Sequence, residues 1–174
     1  MPIFQTERLT IRPLTNADAN DYFDMMGNFE VMKLIPRKAM SREESDAHLN
    51  EAINKDIPSS ELRVWAIEQT DSNTFIGICA FLKNDNNDDE IGYRLRQKFW
   101  RKGYGTEVTK GLISFGFNEF NMTKIAADVN IANANSVRIL DRFFRRKVEF
   151  FNPEDNCTDR RYEVLKEDWV KNNS

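Results

Sequence analysis

Apolar positions along the chain switch between two periods, and the switches divide it into strands and helices. Leu9, Ile11 and Pro13 alternate with Arg8, Thr10 and Arg12, which predicts a strand with one buried face. Thr15 and Asp18 stand at capping-box spacing and open a predicted helix that runs to about Met26. Ser41 and Glu44 repeat that signal ahead of a second helix over 42–55, with Leu49, Ala52 and Ile53 as its apolar side, before Pro58-Ser59-Ser60 breaks the chain. Three strands are predicted next. The first, 63–68, carries Val64, Trp65 and Ile67; the second, 75–82, is nearly continuously apolar, as a central strand covered on both faces should be. In the third, 90–95, Ile91, Tyr93 and Leu95 share one side, after a polar turn over 84–89. A helix over 106–120 shows a broad apolar face of Val108, Leu112, Ile113, Phe115 and Phe117. Strand 124–129, helix 135–144 and strands 148–151 and 161–165 complete the order β-αα-βββ-α-β-α-ββ, a mixed α/β domain.

Composition narrows the function classes. The 174 residues suit one domain, with 40% hydrophobic and 30% charged positions, an ordinary globular balance. A net charge of −3, from 25 basic and 28 acidic residues, argues against a broad nucleic-acid-binding face. It leaves room for a local basic pocket. Cys79 and Cys157 fit neither a metal spacing nor a disulfide framework, and Cys79 lies in an apolar run as a buried thiol would. No stretch approaches the roughly 18 apolar residues of a membrane span. The start lacks a basic region followed by an apolar stretch, so no signal peptide is expected. The expectation is a soluble cytoplasmic protein, monomer or homodimer, with no nucleic-acid or membrane partner.

The segment Trp100-Arg101-Lys102-Gly103-Tyr104-Gly105-Thr106-Glu107 carries the most chemistry. It lies between a strand and an apolar-faced helix. Its glycines let the backbone turn sharply and aim N–H groups one way, at a helix N-terminus whose dipole favours an anion. Arg101 and Lys102 add positive charge. In physical terms this is a pyrophosphate loop; the plainer alternative is a glycine turn before a helix. Val108 stands where a dinucleotide fingerprint needs a third small residue, and the Gly-Lys-Ser/Thr ending of a nucleotide-triphosphate loop is absent.

The same segment resembles the acetyl-CoA loop of GNAT acetyltransferases, Q/R-x-x-G-x-G/A, with Trp100 at the Gln/Arg position. Further segments, in order, resemble the RimJ/RimL-type branch, which acetylates N-terminal amines of ribosomal proteins. These are Thr6-Glu7-Arg8-Leu9 with Arg12-Pro13-Leu14, Glu30-Val31-Met32, Phe75-Ile76-Gly77, Glu90-Ile91-Gly92-Tyr93, and Asn133-Ala134-Asn135-Ser136 with Arg138-Ile139-Leu140. The chain is accordingly identified as one GNAT domain spanning 1–174.

The resemblance implies an α/β fold in which strands 90–95 and 124–129 run parallel and splay apart around the pantetheine arm. Backbone at Leu95 and Arg96 would face the cofactor, residues Arg101 to Thr106 (Arg101, Lys102, Gly103, Tyr104, Gly105, Thr106) would meet the pyrophosphate, and Asn133 would touch the pantetheine region. Acetyl would pass directly from acetyl-CoA to a primary amine, a protein N-terminus or a small amine, in a ternary complex with no metal. Ser136 is the implied proton donor to the thiolate, in place of a tyrosine where this chain has Leu140; a helix cap is the alternative use of both Ser136 and Asn133. Glu90, placed at the mouth of the splayed strand, is a candidate base, directly or through water, against a solvated strand-end carboxylate; Asp88 and Asp89 share that ambiguity. Tyr93 is an alternative hydroxyl whose place in the alternation suggests core packing. His48, the one histidine, reads as a surface residue. Two rival functions stand beside this one: a non-catalytic acetyl-CoA-binding regulatory module and a small-molecule amine or polyamine acetyltransferase. The family ends its 135–144 helix with Leu-Gly-Phe, whereas Phe143-Phe144-Arg145 has no glycine for a left-handed exit.

Overall fold

In the computed structural model, which describes residues 1–55 and 62–174, the strands join one eight-stranded sheet. Strands β1 (Phe4–Gln5), β2 (Leu9–Pro13), β3 (Arg63–Gln69), β4 (Thr74–Lys83) and β5 (Asp89–Leu95) pair antiparallel in chain order. β6 (Lys124–Asn130) lies parallel to β5, and β8 (Cys157–Leu165) and then β7 (Arg145–Asn152) continue antiparallel to the far edge. Pro58-Ser59-Ser60 lies outside the described residues.

Two apolar clusters sit on opposite faces of this sheet, and β3 shows how its alternation divides them. Trp65 and Ile67 join the cluster built on α4 (Tyr104–Glu119) and α5 (Ala134–Phe143), while Ala66 joins that of α1 (Ala19–Met26), α2 (Phe29–Met32) and α3 (Arg42–Lys55). β4 contributes to both, Ile76 and Cys79 to the first and Phe75 and Ile78 to the second, as its unbroken apolar run requires.

The helix-start signals in the sequence form as hydrogen bonds. The Ser41 N–H donates to Glu44 at 2.7 Å and the Glu44 N–H to the Ser41 hydroxyl at 3.1 Å. The Thr15 N–H donates to Asp18 at 2.8 Å, but one 3₁₀ turn over Asn16–Asp18 precedes α1. Three elements have no counterpart in the sequence reading. β1 is only two residues long and gains its place through Phe4, stacked on Phe115 at 4.8 Å. α2 is a single turn capped by Asn28, whose side chain accepts from the Glu30 and Val31 N–H groups. The terminal helix α6 (Lys166–Asn173) follows β8 directly and buries Trp169.

The exit of α5 differs from a glycine-capped end. Phe144 adopts φ −119° and ψ 163°, its N–H donates to the Leu140 carbonyl at 2.8 Å, and β7 begins at the next residue. An extended exit needs no left-handed residue, so the missing glycine costs nothing and the last two strands keep their places.

Arg96 ties the end of β5 to α1. Its buried guanidinium bonds Asp24 at 2.8 Å, Asp21 at 3.1 Å and the Phe75 carbonyl at 2.8 Å. Replacing Arg96 with Ala leaves that carbonyl without its donor and removes both ion pairs, and we expect a loss of about 2 kcal/mol. Urea denaturation checks this; an unchanged midpoint would show that Arg96 anchors nothing.

Candidate active site

β5 and β6 meet at one pair of residues, Glu90 and Ala126, and part beyond it. On their other sides both strands are paired along their length, β5 with β4 and β6 with β8. The parted ends leave a cavity of about 320 Å³. Its walls come from four places. Tyr93, Arg94 and Leu95 belong to β5; Phe99 to Thr106, without Lys102, lead into and begin α4; Asn133, Asn135, Ser136, Arg138 and Ile139 come from the start of α5; Val31, Leu34 and Ile35 stand at and after α2.

The loop is held in an unusual backbone conformation. Arg101 has φ 60° and Gly103 φ 83°, and Gly103 caps α4, which therefore begins at Tyr104 instead of Thr106. The first N–H groups of a helix have no partner within it, so Tyr104, Gly105 and Thr106 present donors where the dipole is positive. A latch fixes this end of the helix. Glu107 accepts from the Thr6 hydroxyl at 2.6 Å, the Arg8 N–H at 2.7 Å and the Arg8 Nε at 2.7 Å, while Arg8 Nη1 donates to the Lys102 carbonyl at 2.9 Å. The Thr6-Glu7-Arg8-Leu9 segment thus serves the loop, a link across the chain that spacing does not disclose. Gly105 is required by close approach: a Cβ there would stand 2.8 Å from the Tyr93 hydroxyl and 3.1 Å from Ile139 Cδ1. Trp100, at the position of the family's Gln/Arg, donates its indole N–H to the Leu95 carbonyl at 3.0 Å and so satisfies a strand acceptor at the parting.

The expected site residues divide. Leu95, Arg101, Gly103, Tyr104, Gly105, Thr106, Asn133 and Ser136 line the cavity. Arg96 does not: its N–H donates to the Ile76 carbonyl at 2.9 Å and its side chain faces α1. Its backbone is spent on the sheet, which corrects the expectation that it faces the cofactor. Lys102 also stands off the wall, with its ammonium 5.5 Å from the Phe99 ring centre. Asn133 caps α5, accepting from the Ser136 N–H at 3.4 Å. The cap role therefore belongs to Asn133, and the Ser136 side chain lines the cavity beside Tyr93. Burial raises the Tyr93 phenol above its ordinary range, and the hydrogen bond with Ser136 partly offsets this. Tyr93 is packed as its alternation suggests, yet its hydroxyl reaches the cavity wall. The sequence reading did not single out Arg94, Arg138 or the Val31–Ile35 wall; the available signal was a charge, Arg94, between the apolar Tyr93 and Leu95.

Glu90 occupies the closed end of the gap, not its mouth, and is absent from the cavity wall. Its Oε1 accepts from the Asp128 N–H at 3.3 Å. Burial pushes its carboxyl up to about 7; the Asp128 charge adds to this, while the Asp128 N–H and Arg161 oppose it. Asp88 and Asp89 are engaged elsewhere, in ion pairs with Lys124 and Lys83 at 2.8 Å each, and Asp85 holds Arg161. The acidic turn is thus neutralised by its own neighbours. His48 is exposed, but the Tyr22 hydroxyl meets its Nδ1 at 2.8 Å, so it is not isolated. No helix among the described residues is long and apolar enough to cross a membrane.

Comparison with known proteins agrees with this geometry. The model of the acetyltransferase (GNAT) domain family matches residues 8–143. An uncharacterized N-acetyltransferase of Bacillus subtilis, YoaA, is 30% identical over 141 residues, 80% of each chain. A solved GNAT-family acetyltransferase from Bacillus anthracis superposes with a TM-score of 0.82 at 24% identity, over 94% of this chain and 98% of the other. A RimL ribosomal L7/L12 alpha-N-protein acetyltransferase, solved in complex with coenzyme A, superposes with a TM-score of 0.78 at 15% identity, over 95% and 98%. At that identity the likeness concerns the fold. The family match covers most of the chain, and the chain belongs to the GNAT acetyltransferases as an acetyl-CoA-dependent N-acetyltransferase.

Proposed function

We propose that this chain transfers acetyl from acetyl-CoA to the α-amine of its acceptor by direct attack, in the manner of the RimJ/RimL-type branch. The observation that carries the reading is the cavity opened by the parting of β5 and β6, with the α4 N-terminus on one wall and Ser136 on another. In this reading the N–H groups of Gly103 to Thr106 and the exposed Arg101 hold the pyrophosphate. The pantetheine arm extends along the unpaired edge of β5 as an added strand would. Asn133, Ile139 and Trp100 bound its end of the cavity.

The amine nitrogen attacks the thioester carbon, a C–N bond forms and the C–S bond breaks. One proton leaves the amine and one must reach the departing thiolate. Ser136 supplies the second, with the Tyr93 hydroxyl as a further group at the same wall. Glu90 takes the first through water, since it lies on β5 beyond the cavity wall. A carboxyl near pH 7 suits that work, because it is partly ionised where the amine is partly neutral. The order of family-like segments along the whole chain supports an α-amine, which protein N-termini and free amino acids share.

Two variants test the roles. Ser136→Ala should lower kcat by about 10²–10⁴-fold with acetyl-CoA affinity little changed, as read by steady-state kinetics and calorimetry; an unchanged kcat would return the hydroxyl to a structural part. For Glu90, a folded pKa above the unfolded value means that the folded state binds the extra proton between them. Stability is then full below about pH 4.5 and falls as pH rises through about 7. Glu90→Gln should therefore be more stable than the parent at pH 8, by on the order of 2 kcal/mol, and indistinguishable near pH 4. Its catalytic efficiency should fall most at neutral pH and recover at high pH. Parallel stability curves for the two proteins would contradict the buried carboxyl.

A further inference from the structure

One buried cation in the cavity has no assigned work. Arg94 lines it from β5, and its Nη1 donates at 2.8 Å to the Met26 sulfur, a weak acceptor. Its Nε is buried with no hydrogen-bond partner. Among the described residues no carboxylate pairs with it. The other deeply set arginines of the fold are treated differently. Arg12 is held by Asp18 and Glu68, Arg96 by Asp21 and Asp24, and Arg161 by Asp85 and Asp128. These arginines are neutralised by the chain itself, as Arg160 is by Glu149, whereas Arg94, with its Nε buried at the cavity wall, has no carboxylate partner among the described residues.

The surroundings of Arg94 sharpen the point. Burial is the main influence lowering its pKa, to about 10, and the nearby positive charge of Arg37 lowers it further. Tyr22, the group that favours its charge, is itself pushed up to about 12 by burial and so stays neutral, bonded to His48. A buried guanidinium with no carboxylate partner is unfavourable until an anion arrives. Among the described residues the chain supplies none, and a ligand is the source that the open cavity offers.

We propose that the acceptor is a small primary amine carrying its own carboxylate or phosphonate group, and that Arg94 binds that group. This rests on the acetyl-transfer reading above and names its acceptor. The anion belongs to the acceptor, not to the cofactor, because Arg94 and Tyr93 project to opposite faces of β5. Tyr93 points to Gly105 and Ser136, where the phosphate donors lie, while Arg94 points to Met26 on α1. The part of the acceptor that enters must be small, because about 320 Å³ must also admit the acetylated arm of the cofactor. A polyamine would set further positive charge against Arg94 and Arg37.

The test is calorimetry on the full chain saturated with coenzyme A, using L-amino acids, their carboxamides, aminoalkylphosphonates and, as cationic control, spermidine. At least one acid or phosphonate should bind on the order of 10²-fold more tightly than the matching carboxamide, and the two anion arms distinguish carboxylate from phosphonate. Arg94→Met should abolish the difference and Arg94→Lys restore part of it, with coenzyme A affinity unchanged in both. Ligand-free Arg94→Met should melt no lower than the parent, since it removes an uncompensated charge; a lower Tm would mark the guanidinium as structural and overturn the proposal. Equal binding of acids and carboxamides, or a preference for spermidine, would overturn it too. Release of coenzyme A from acetyl-CoA, followed with the same panel, separates the two readings. Arg94-dependent anion binding without release contradicts the catalytic roles and keeps the anion site; release without anion preference does the reverse.

Discussion

Backbone groups in a sheet must be paired, and in this fold two neighbouring strands stop pairing in the middle of it. β5 and β6 meet at Glu90 and Ala126 and then diverge, which exposes N–H and C=O groups that would otherwise cost about 1–3 kcal/mol each if buried unsatisfied. Most of the surrounding architecture copes with that cost. Trp100 takes the Leu95 carbonyl, the Arg96 N–H returns to β4, and the remaining edge faces a cavity that a strand-like ligand can line.

What keeps the gap open is packing from outside it. Tyr93 wedges between β5 and the first turns of α4 and α5, and only a glycine at 105 leaves room for its hydroxyl. The Glu107 latch fixes the start of α4 to β2 and the segment before it, and the guanidinium of Arg96 fixes the end of β5 to α1. At the closed end, Asp128, Arg161 and Asp85 hold one another beside the buried carboxyl of Glu90. The site is thus a fault in the sheet, stabilised by polar contacts at both ends.

The sequence disclosed the regular parts. Alternation and capping boxes placed most of the strands and helices, and the glycines marked the turn into α4, because each is a local device. β1, α2 and α6 are short and owe their order to distant partners such as Phe115 for Phe4, which no local period carries. The site was legible where backbone shape matters, at Gly103 and Gly105. It was not legible where side chains from remote segments combine. Arg96 reads as a cofactor neighbour until α1 is seen to claim it, and Glu90 reads as a mouth residue until the strands are seen to converge there. Arg94 looks like one more charge of an alternating strand until its Nε is seen to be buried without a hydrogen-bond partner.

Amide hydrogen exchange, with and without coenzyme A, tests the central claim most directly. If the parted strands form the cofactor groove, exchange should slow at Tyr93 to Leu95 and at Gly103 to Thr106, with the distant β7 edge unaffected. Unchanged exchange at those amides, with slowing elsewhere under saturating coenzyme A, would contradict the account.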